Sequence, residues 1–176
     1  MDSPLHIERV LLVAGGRGSG KSTQLRAMFL DPRLGYDGQI PTIRRPRERY
    51  RLSPDRQLYV RFSSPHESNA TLEEFLNKIE TKSVSGRWCF AGAVQIESTN
   101  RVPDLRDVVD AIVQRFSPER IRIALLSPDR RGRQLADAND HLENLREAAP
   151  VVEVMSIDAR TREGNGLLLA DTFDFA

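Results

Sequence analysis

The feature that most constrains this chain is a glycine-rich run at residues 15–22, with the sequence GGRGSGKS. It matches G-x-x-x-x-G-K-[ST], the Walker A or P-loop pattern, at every required position. The apolar residues 10–14 before it predict a buried strand, and residues 21–30 are typical of a helix. Strand, loop and helix in this order are the context in which such a loop wraps around a phosphate chain.

The chemistry of this run follows from its backbone and from two side chains. Glycines allow the backbone to curl inwards, so that successive N–H groups and the start of the helix converge on phosphate oxygens. Lys21 would reach the β- and γ-phosphates, and the Ser22 hydroxyl would bind Mg²⁺. We predict that a nucleoside triphosphate, GTP or ATP, binds with Mg²⁺ to Gly15, Gly16, Arg17, Gly18, Ser19, Gly20, Lys21, Ser22 and Thr23.

Composition adds a few limits. A length of 176 residues suits one domain with a full core, which we expect to span residues 1–176. The formal charge of +1 gives no general case for binding to nucleic acid or to a membrane. Cys89 is the single cysteine, so no internal disulfide can form, and no signal peptide or apolar span is apparent. We therefore expect a cytoplasmic protein.

Apolar and amphipathic segments alternate along the chain. Extended segments at residues 39–52 and 56–64, with the turn triplet Ser53-Pro54-Asp55 between them, predict an antiparallel hairpin. Further strands are predicted at residues 87–97, 121–126 and 151–157, and helices at 104–116 and 133–148. Another helix is predicted from Thr71, where Thr71-Leu72-Glu73-Glu74 resembles a capping box.

These elements together predict an α/β fold of three layers. Its central sheet has about six strands and is mostly parallel, with one antiparallel hairpin strand at the edge. Residues 158–176 predict an irregular tail or a short terminal helix, with a turn at Gly164-Asn165-Gly166.

The order of these elements resembles that of the small Ras-like GTPases. Tyr36-Asp37 and the later Pro41-Thr42-Ile43 resemble the family's Y-D-P-T-I switch sequence, with a two-residue insertion. By this resemblance Thr42 would bind Mg²⁺ when the γ-phosphate is present; otherwise it is an ordinary threonine entering an edge strand. The resemblance implies a triphosphate-dependent switch with slow or partner-dependent hydrolysis, and a protein partner that reads residues 36–67.

Beyond the hairpin the chain departs from the family. The D-x-x-G position is taken by Ser63-Ser64-Pro65-His66-Glu67. Either serine could hold a magnesium-bound water, and His66 or Glu67 would replace the family's water-orienting glutamine; the alternative is a solvated turn. Arg17 replaces a glycine of the Ras loop, where it could obstruct hydrolysis, stabilise phosphate charge or stay solvated. His66, Glu67 and Arg17 are thus the candidate catalytic residues.

The choice of base stays open. The family reads guanine with N-K-x-D, whereas this chain has Ser127-Pro128-Asp129-Arg130. Asp129 could accept a hydrogen bond from the guanine amino edge, although the motif's other members are missing. Adenine, guanine or no selection remain open.

Arginines form two clusters, one in the predicted hairpin and one at residues 130–133. Those of the hairpin could contact nucleic acid or an acidic partner, but a solvated edge guarded by charge against strand addition is favoured. A second cluster, Arg130-Arg131-Arg133, would form a lid in a nucleotide kinase or, more simply, a solvated loop. Besides the switch, a non-catalytic nucleotide-dependent binding module and a small-molecule or nucleotide kinase remain open. The hairpin arginines are Arg44, Arg45, Arg47, Arg49, Arg51, Arg56 and Arg61.

Overall fold

The computed structural model of the protein describes residues 6–42, 48–83 and 86–174. The strands are β1 (Arg9–Ala14), β2 (Arg49–Ser53), β3 (Arg56–Arg61), β4 (Arg87–Val94), β5 (Arg120–Leu126) and β6 (Val152–Ile157). The helices are α1 (Lys21–Ala27), α2 (Leu72–Lys82), α3 (Leu105–Phe116), α4 (Ala138–Arg146) and α5 (Arg162–Ala170). Short 3₁₀ turns cover Met28–Leu30, Pro32–Leu34 and Asp171–Phe173.

The six strands form one sheet in the order β2-β3-β4-β1-β5-β6. Every pair is parallel except β2–β3, which is the antiparallel hairpin at one edge. The predicted α/β fold is therefore confirmed. Because β1 lies between β4 and β5 in the sheet, the glycine-rich loop that follows β1 has these two strands as its neighbours.

Alternate side chains of the central strands enter two separate apolar cores. In β1, Val10 and Leu12 face the core that α2, α3 and α4 cover, whereas Leu11 and Val13 face the core that α1 and α5 cover. All four are fully buried, so the strand reads as a continuous apolar run, as strands covered on both faces do. Helices on both faces of the sheet make the three predicted layers.

Local sequence signals set several helix boundaries. The predicted capping box at Thr71 and Glu74 is present, and the side chain of Asp104 caps α3 by accepting from the Asp107 N–H. α4 begins later than the helix predicted at residues 133–148. The reason is that the preceding residues are held by side chains: the Leu135 N–H donates to Ser127 Oγ at 3.0 Å.

The sequence predicts an extended segment over residues 39–52, of which the structure describes strand β2 at Arg49–Ser53. Residues 36–39 form a turn in which the Gln39 N–H donates to the Tyr36 carbonyl at 3.0 Å. The Tyr36 ring packs edge-on against Tyr50, with centroids 6.0 Å apart. Residues 43–47, including the predicted switch residue Ile43 and the arginines Arg44, Arg45 and Arg47, lie outside the described residues.

The predicted turn at residues 164–166 is wrong, because these residues lie inside α5. Gly166 is needed for close packing rather than for a turn: a Cβ there would lie 2.2 Å from the Ala27 carbonyl oxygen. The contact lets α5 press against the end of α1, and Leu169, Ala170 and Phe173 enter the core beneath it. The final residues thus contain a short helix that covers the sheet.

Ion pairs of the buried Glu8 join the amino ends of β1, β3 and β4. Glu8 is 7% exposed and accepts from Arg56 Nε at 3.1 Å and from Arg87 Nη2 at 2.8 Å. Arg56 Nη1 also donates to the Asp174 carbonyl at 3.0 Å. Arg56 is therefore a structural residue and not part of the solvated arginine edge that the sequence predicts. Within the described ranges, no helix combines the length and apolarity that crossing a bilayer requires.

Candidate functional site

The glycine-rich loop lies at the carboxyl edge of the sheet, between β1 and α1. Its first N–H, from Gly15, donates to the Val94 carbonyl at the end of β4 at 3.3 Å. Gly18 and Gly20 have φ angles of 72° and 105°, a region that side chains other than glycine seldom adopt. The predicted strand–loop–helix context is therefore present, and both glycines are required by its backbone.

Lys21 occupies the centre of the loop. Its side chain is 3% exposed, and Nζ donates to the Gly16 carbonyl at 2.8 Å. The same Nζ lies 3.3 Å from Oε1 of Glu67. Burial lowers the pKa of Lys21, and the Glu67 carboxylate opposes that shift. The ammonium is thus held inside the loop by one carbonyl and one carboxylate, the kind of oxygen partners that a phosphate would replace.

The predicted magnesium ligand Ser22 is engaged by a cation. Its Oγ accepts from Arg26 Nη1 at 2.6 Å, one helical turn away. The Arg26 guanidinium carbon also lies 4.9 Å from the centre of the Phe62 ring. A hydroxyl oxygen that binds Mg²⁺ must turn a lone pair to the metal, so metal binding at Ser22 requires Arg26 to shift or to share this oxygen.

Thr42, the other predicted magnesium ligand, is exposed and directly precedes the residues that the structure does not describe. Its switch role stays a prediction. Thr23, predicted to bind phosphate, is exposed in the first turn of α1.

The loop after β3 carries two of the predicted catalytic residues and separates their roles. The Glu67 N–H donates to Ser64 Oγ at 3.2 Å, and this tight turn directs the Glu67 side chain to Lys21. His66 instead donates from Nε2 to the Pro103 carbonyl at 3.3 Å. Its Nδ1 is buried and has no hydrogen-bond partner among the described residues. Burial lowers the pKa of His66, and the nearby Lys21 lowers it further.

The Asp129 carboxylate is hydrogen-bonded to residues of its own loop. Its Oδ1 accepts from the N–H groups of Arg131 and Arg133 at 2.8 and 3.0 Å, and its Oδ2 accepts from Arg133 Nε at 2.9 Å. These hydrogen bonds lower the pKa of Asp129. Reading a base would require this network to open, so the geometry favours a structural role over the predicted base-reading one.

Arg130 contacts the glycine-rich loop, a placement that sequence reasoning missed. Its backbone N–H donates to the Ser19 carbonyl at 3.1 Å. Its side chain passes over Gly20, where a Cβ would lie 3.4 Å from Arg130 Cβ, and its Nη2 lies 3.9 Å from the same position on Gly18. The cluster Arg130-Arg131-Arg133 is visible in the sequence, but the sequence does not indicate which of these arginines contacts the glycine-rich loop.

Arg17 is exposed at the tip of the loop and forms no hydrogen bond or ion pair with any residue that the structure describes. This position agrees with a solvated arginine. It also leaves the guanidinium free to reach a ligand in the loop.

No protein-family model and no curated protein matches this chain. Among solved structures, the chain is similar to the signal recognition particle receptor FtsY from Elizabethkingia anophelis, in a crystal structure with GDP. The sequence identity is 10% and the TM-score 0.37, and the match covers 99% of this chain and 56% of that one. The chain thus spans little more than half the length of FtsY, and a likeness this weak carries no weight for function.

Proposed function

We propose that this chain binds a nucleoside triphosphate with Mg²⁺ at residues 15–22 and acts as a triphosphate-dependent switch. The observation that supports the proposal best is the buried Lys21 ammonium, held in the glycine loop by the Gly16 carbonyl and by Glu67. A phosphate chain offers this cation several oxygens and greater negative charge than a single carboxylate does. Ser22 and Thr42 would hold Mg²⁺, which supplies charge neutralisation between the phosphates.

The Lys21–Glu67 pair gives the switch a physical basis. Phosphate oxygens compete with the Glu67 carboxylate for Nζ, so a bound triphosphate favours release of Glu67. Because Glu67 lies in the loop between β3 and α2, its release changes a segment inside residues 36–67, the surface proposed for a protein partner. A ligand shifts such an equilibrium only through contacts that differ between the two states, and this pair is such a contact.

Hydrolysis would then depend on few groups. A released Glu67 could orient or deprotonate a water, with His66 behind it and Arg17 over the phosphates. This small set supports slow or partner-dependent turnover. The base, adenine or guanine, is left open because the Asp129 carboxylate is already hydrogen-bonded within its loop. A nucleic-acid partner is not favoured, since Arg56 of the hairpin is committed to Glu8.

A kinase is a second candidate, because a cavity of about 410 Å³ opens beside Ser22 and Glu67. It could accept a second small molecule next to the triphosphate. The switch and a non-catalytic binding module have no need of such a cavity.

The test is calorimetric titration with ATP, GTP, ADP and GDP, with Mg²⁺ and with EDTA, combined with chromatographic measurement of turnover. We expect triphosphate binding, and about a 100-fold loss of affinity in Lys21→Ala, because charge-assisted hydrogen bonds to phosphate are lost. Arg146→Ala is the control, since Arg146 is an exposed cation in the last turn of α4. Unchanged affinity in Lys21→Ala would refute the proposal, and binding without any turnover would select the non-catalytic module.

Hydrogen exchange tests the switch itself. We expect the segment 62–71 to exchange differently with a non-hydrolysable triphosphate than with the diphosphate. Identical exchange in the two states would leave nucleotide binding without a switch.

A further inference from the structure

A cavity of about 410 Å³ lies beside the glycine loop, at the carboxyl end of β3. Its walls come from α1, from α2, from β3 with the loop that follows, and from Glu48 just before β2. Ser22 and Glu67 line it on the side of the glycine loop, and Phe62 adds an aromatic surface. A volume of this size suits a small organic molecule rather than a polypeptide segment.

The charges that line this cavity do not cancel. Three cations, Arg26, Arg61 and Lys78, face it, and none of them forms an ion pair with a carboxylate of the described residues. Arg61 donates to two neutral oxygens, the Ser63 carbonyl and Ser68 Oγ, at 3.2 and 2.7 Å.

The two acids of the lining are already paired. Glu67 binds Lys21 at 3.3 Å, and Glu48 binds Lys82 at 2.7 Å. Neither acid pairs with a lining cation in this structure. If the triphosphate releases Glu67 as proposed, the lining still holds three cations, Arg26, Arg61 and Lys78, against two acids.

Arg26 has unused binding capacity. Its Nη1 donates to Ser22 Oγ, but its Nε is buried and has no hydrogen-bond partner within the described ranges. A buried donor without a partner costs free energy, which a ligand oxygen would recover. The guanidinium carbon also lies 4.9 Å from the centre of the Phe62 ring, and this cation–π contact restricts the side chain before a ligand binds.

We propose that this cavity binds a small phosphomonoester, with its dianionic phosphate held by Arg26, Arg61 and Lys78. The inference rests on the proposed function, since it places a second ligand beside the triphosphate. A phosphomonoester matches the observed charge better than a single carboxylate, and guanidinium forks suit phosphate oxygens. The rest of the ligand would lie against Phe62.

The site is coupled to the glycine loop through one side chain. Arg26 holds Ser22 Oγ, the oxygen proposed for Mg²⁺. A phosphate oxygen that accepts from Arg26 Nη1 in place of Ser22 Oγ frees this hydroxyl. We therefore expect each ligand to tighten the binding of the other, to the same extent in both directions.

Calorimetry with phenyl phosphate tests the inference, with benzoate and benzyl alcohol as the monoanionic and neutral probes. Titrations use the wild-type protein with and without a saturating non-hydrolysable Mg²⁺–triphosphate, and the Lys21→Ala variant. Arg26→Gln and Lys78→Gln remove cavity cations, and Arg146→Gln on α4 is the matched control outside the lining. Lys78 is exposed on α2, so Lys78→Gln keeps the test valid if Arg26→Gln disturbs the loop.

We expect phenyl phosphate to bind the triphosphate-loaded protein and to lose about tenfold in affinity in each cavity variant but not in Arg146→Gln. Absence of phenyl phosphate binding, its complete displacement by the triphosphate, or tighter binding of benzoate would overturn the inference. Retained binding by Lys21→Ala supports a site separate from the glycine loop. If the wild type binds no nucleotide but still binds phenyl phosphate through Arg26, the proposed function fails while the cavity site stands.

Discussion

The carboxylate of Glu67 lies 3.3 Å from the ammonium of Lys21, although 46 residues separate the two in the chain. The fold brings them together across β4, because Lys21 follows β1 and Glu67 follows β3. Lys21 thus has a carboxylate as its partner where the proposed function places phosphate. Any phosphate that binds must displace that carboxylate or share Nζ with it.

Glu67→Gln should tighten nucleotide binding by about threefold to tenfold, because the ligand no longer competes with a carboxylate for Lys21. Turnover should fall in the same variant, since the neutral amide cannot act as a base. Calorimetry and a phosphate-release assay measure the two effects. Glu73→Gln, an exposed change on α2, is the control. Weaker binding in Glu67→Gln would show that the pair supports the nucleotide instead of competing with it.

Thr42→Ala should weaken the binding of Mg²⁺–triphosphate about tenfold more than that of the diphosphate. The predicted contact of its hydroxyl with the metal exists only when the γ-phosphate is present. Titrations with both nucleotides, repeated on Thr81→Ala of α2, measure the difference. Equal losses for the two nucleotides would contradict the switch role of Thr42.

Gly166→Ala should destabilise the protein by about 1–3 kcal/mol, because the added Cβ would meet the Ala27 carbonyl oxygen at 2.2 Å and push α5 away from α1. Gly164→Ala is the matched control in the same helix. Its nearest heavy atom lies 3.7 Å away, so alanine should stabilise α5 by up to about 1 kcal/mol. Urea unfolding measures both variants, and equal effects would argue against the close contact.

Mild acid should destabilise the protein through His66. Burial lowers its pKa below the ordinary 6.5, so the unfolded chain takes up a proton there more readily than the folded one. Stability should therefore fall as the pH drops through 6.5 and continue to fall down to the pKa of the folded state. Urea midpoints at pH 7.5 and about 5.5 measure the loss. His66→Gln should reduce the difference between them, and an equal difference in this variant would argue against His66 as its source.

Local sequence signals predicted the parts of the molecule that depend on neighbouring residues. The strand, glycine loop and helix around Lys21, the turn at residues 53–55 and the capping box at Thr71 follow from short-range geometry. The wrong prediction of a turn at residues 164–166 has the same origin, since it used only the local glycine pattern. Gly166 is a glycine because of Ala27, and no local pattern records that contact.

Contacts in the site between residues far apart in the chain could not be predicted from the sequence either. The sequence pattern does not distinguish Arg130 from Arg131. Arg130 is the one that lies over Gly18 and Gly20, because of the backbone path of a loop that hydrogen bonds to Asp129 hold in place. Glu67 was predicted as a site residue from its position after the hairpin. Its partner was not, because the pairing depends on the order of strands in the sheet, which element order alone does not specify.

The contact between Gly166 and Ala27 has a consequence for how the protein is made. α1 has seven residues, too few to be stable by itself in water, and α5 supports it from the far end of the chain. A ribosome that has synthesised residues 15–22 has made the complete motif but not the pocket. We expect a nascent chain to bind nucleotide only after α5 has left the ribosome and packed against α1. The glycine loop is synthesised early, but it depends on a helix that is synthesised after all six strands.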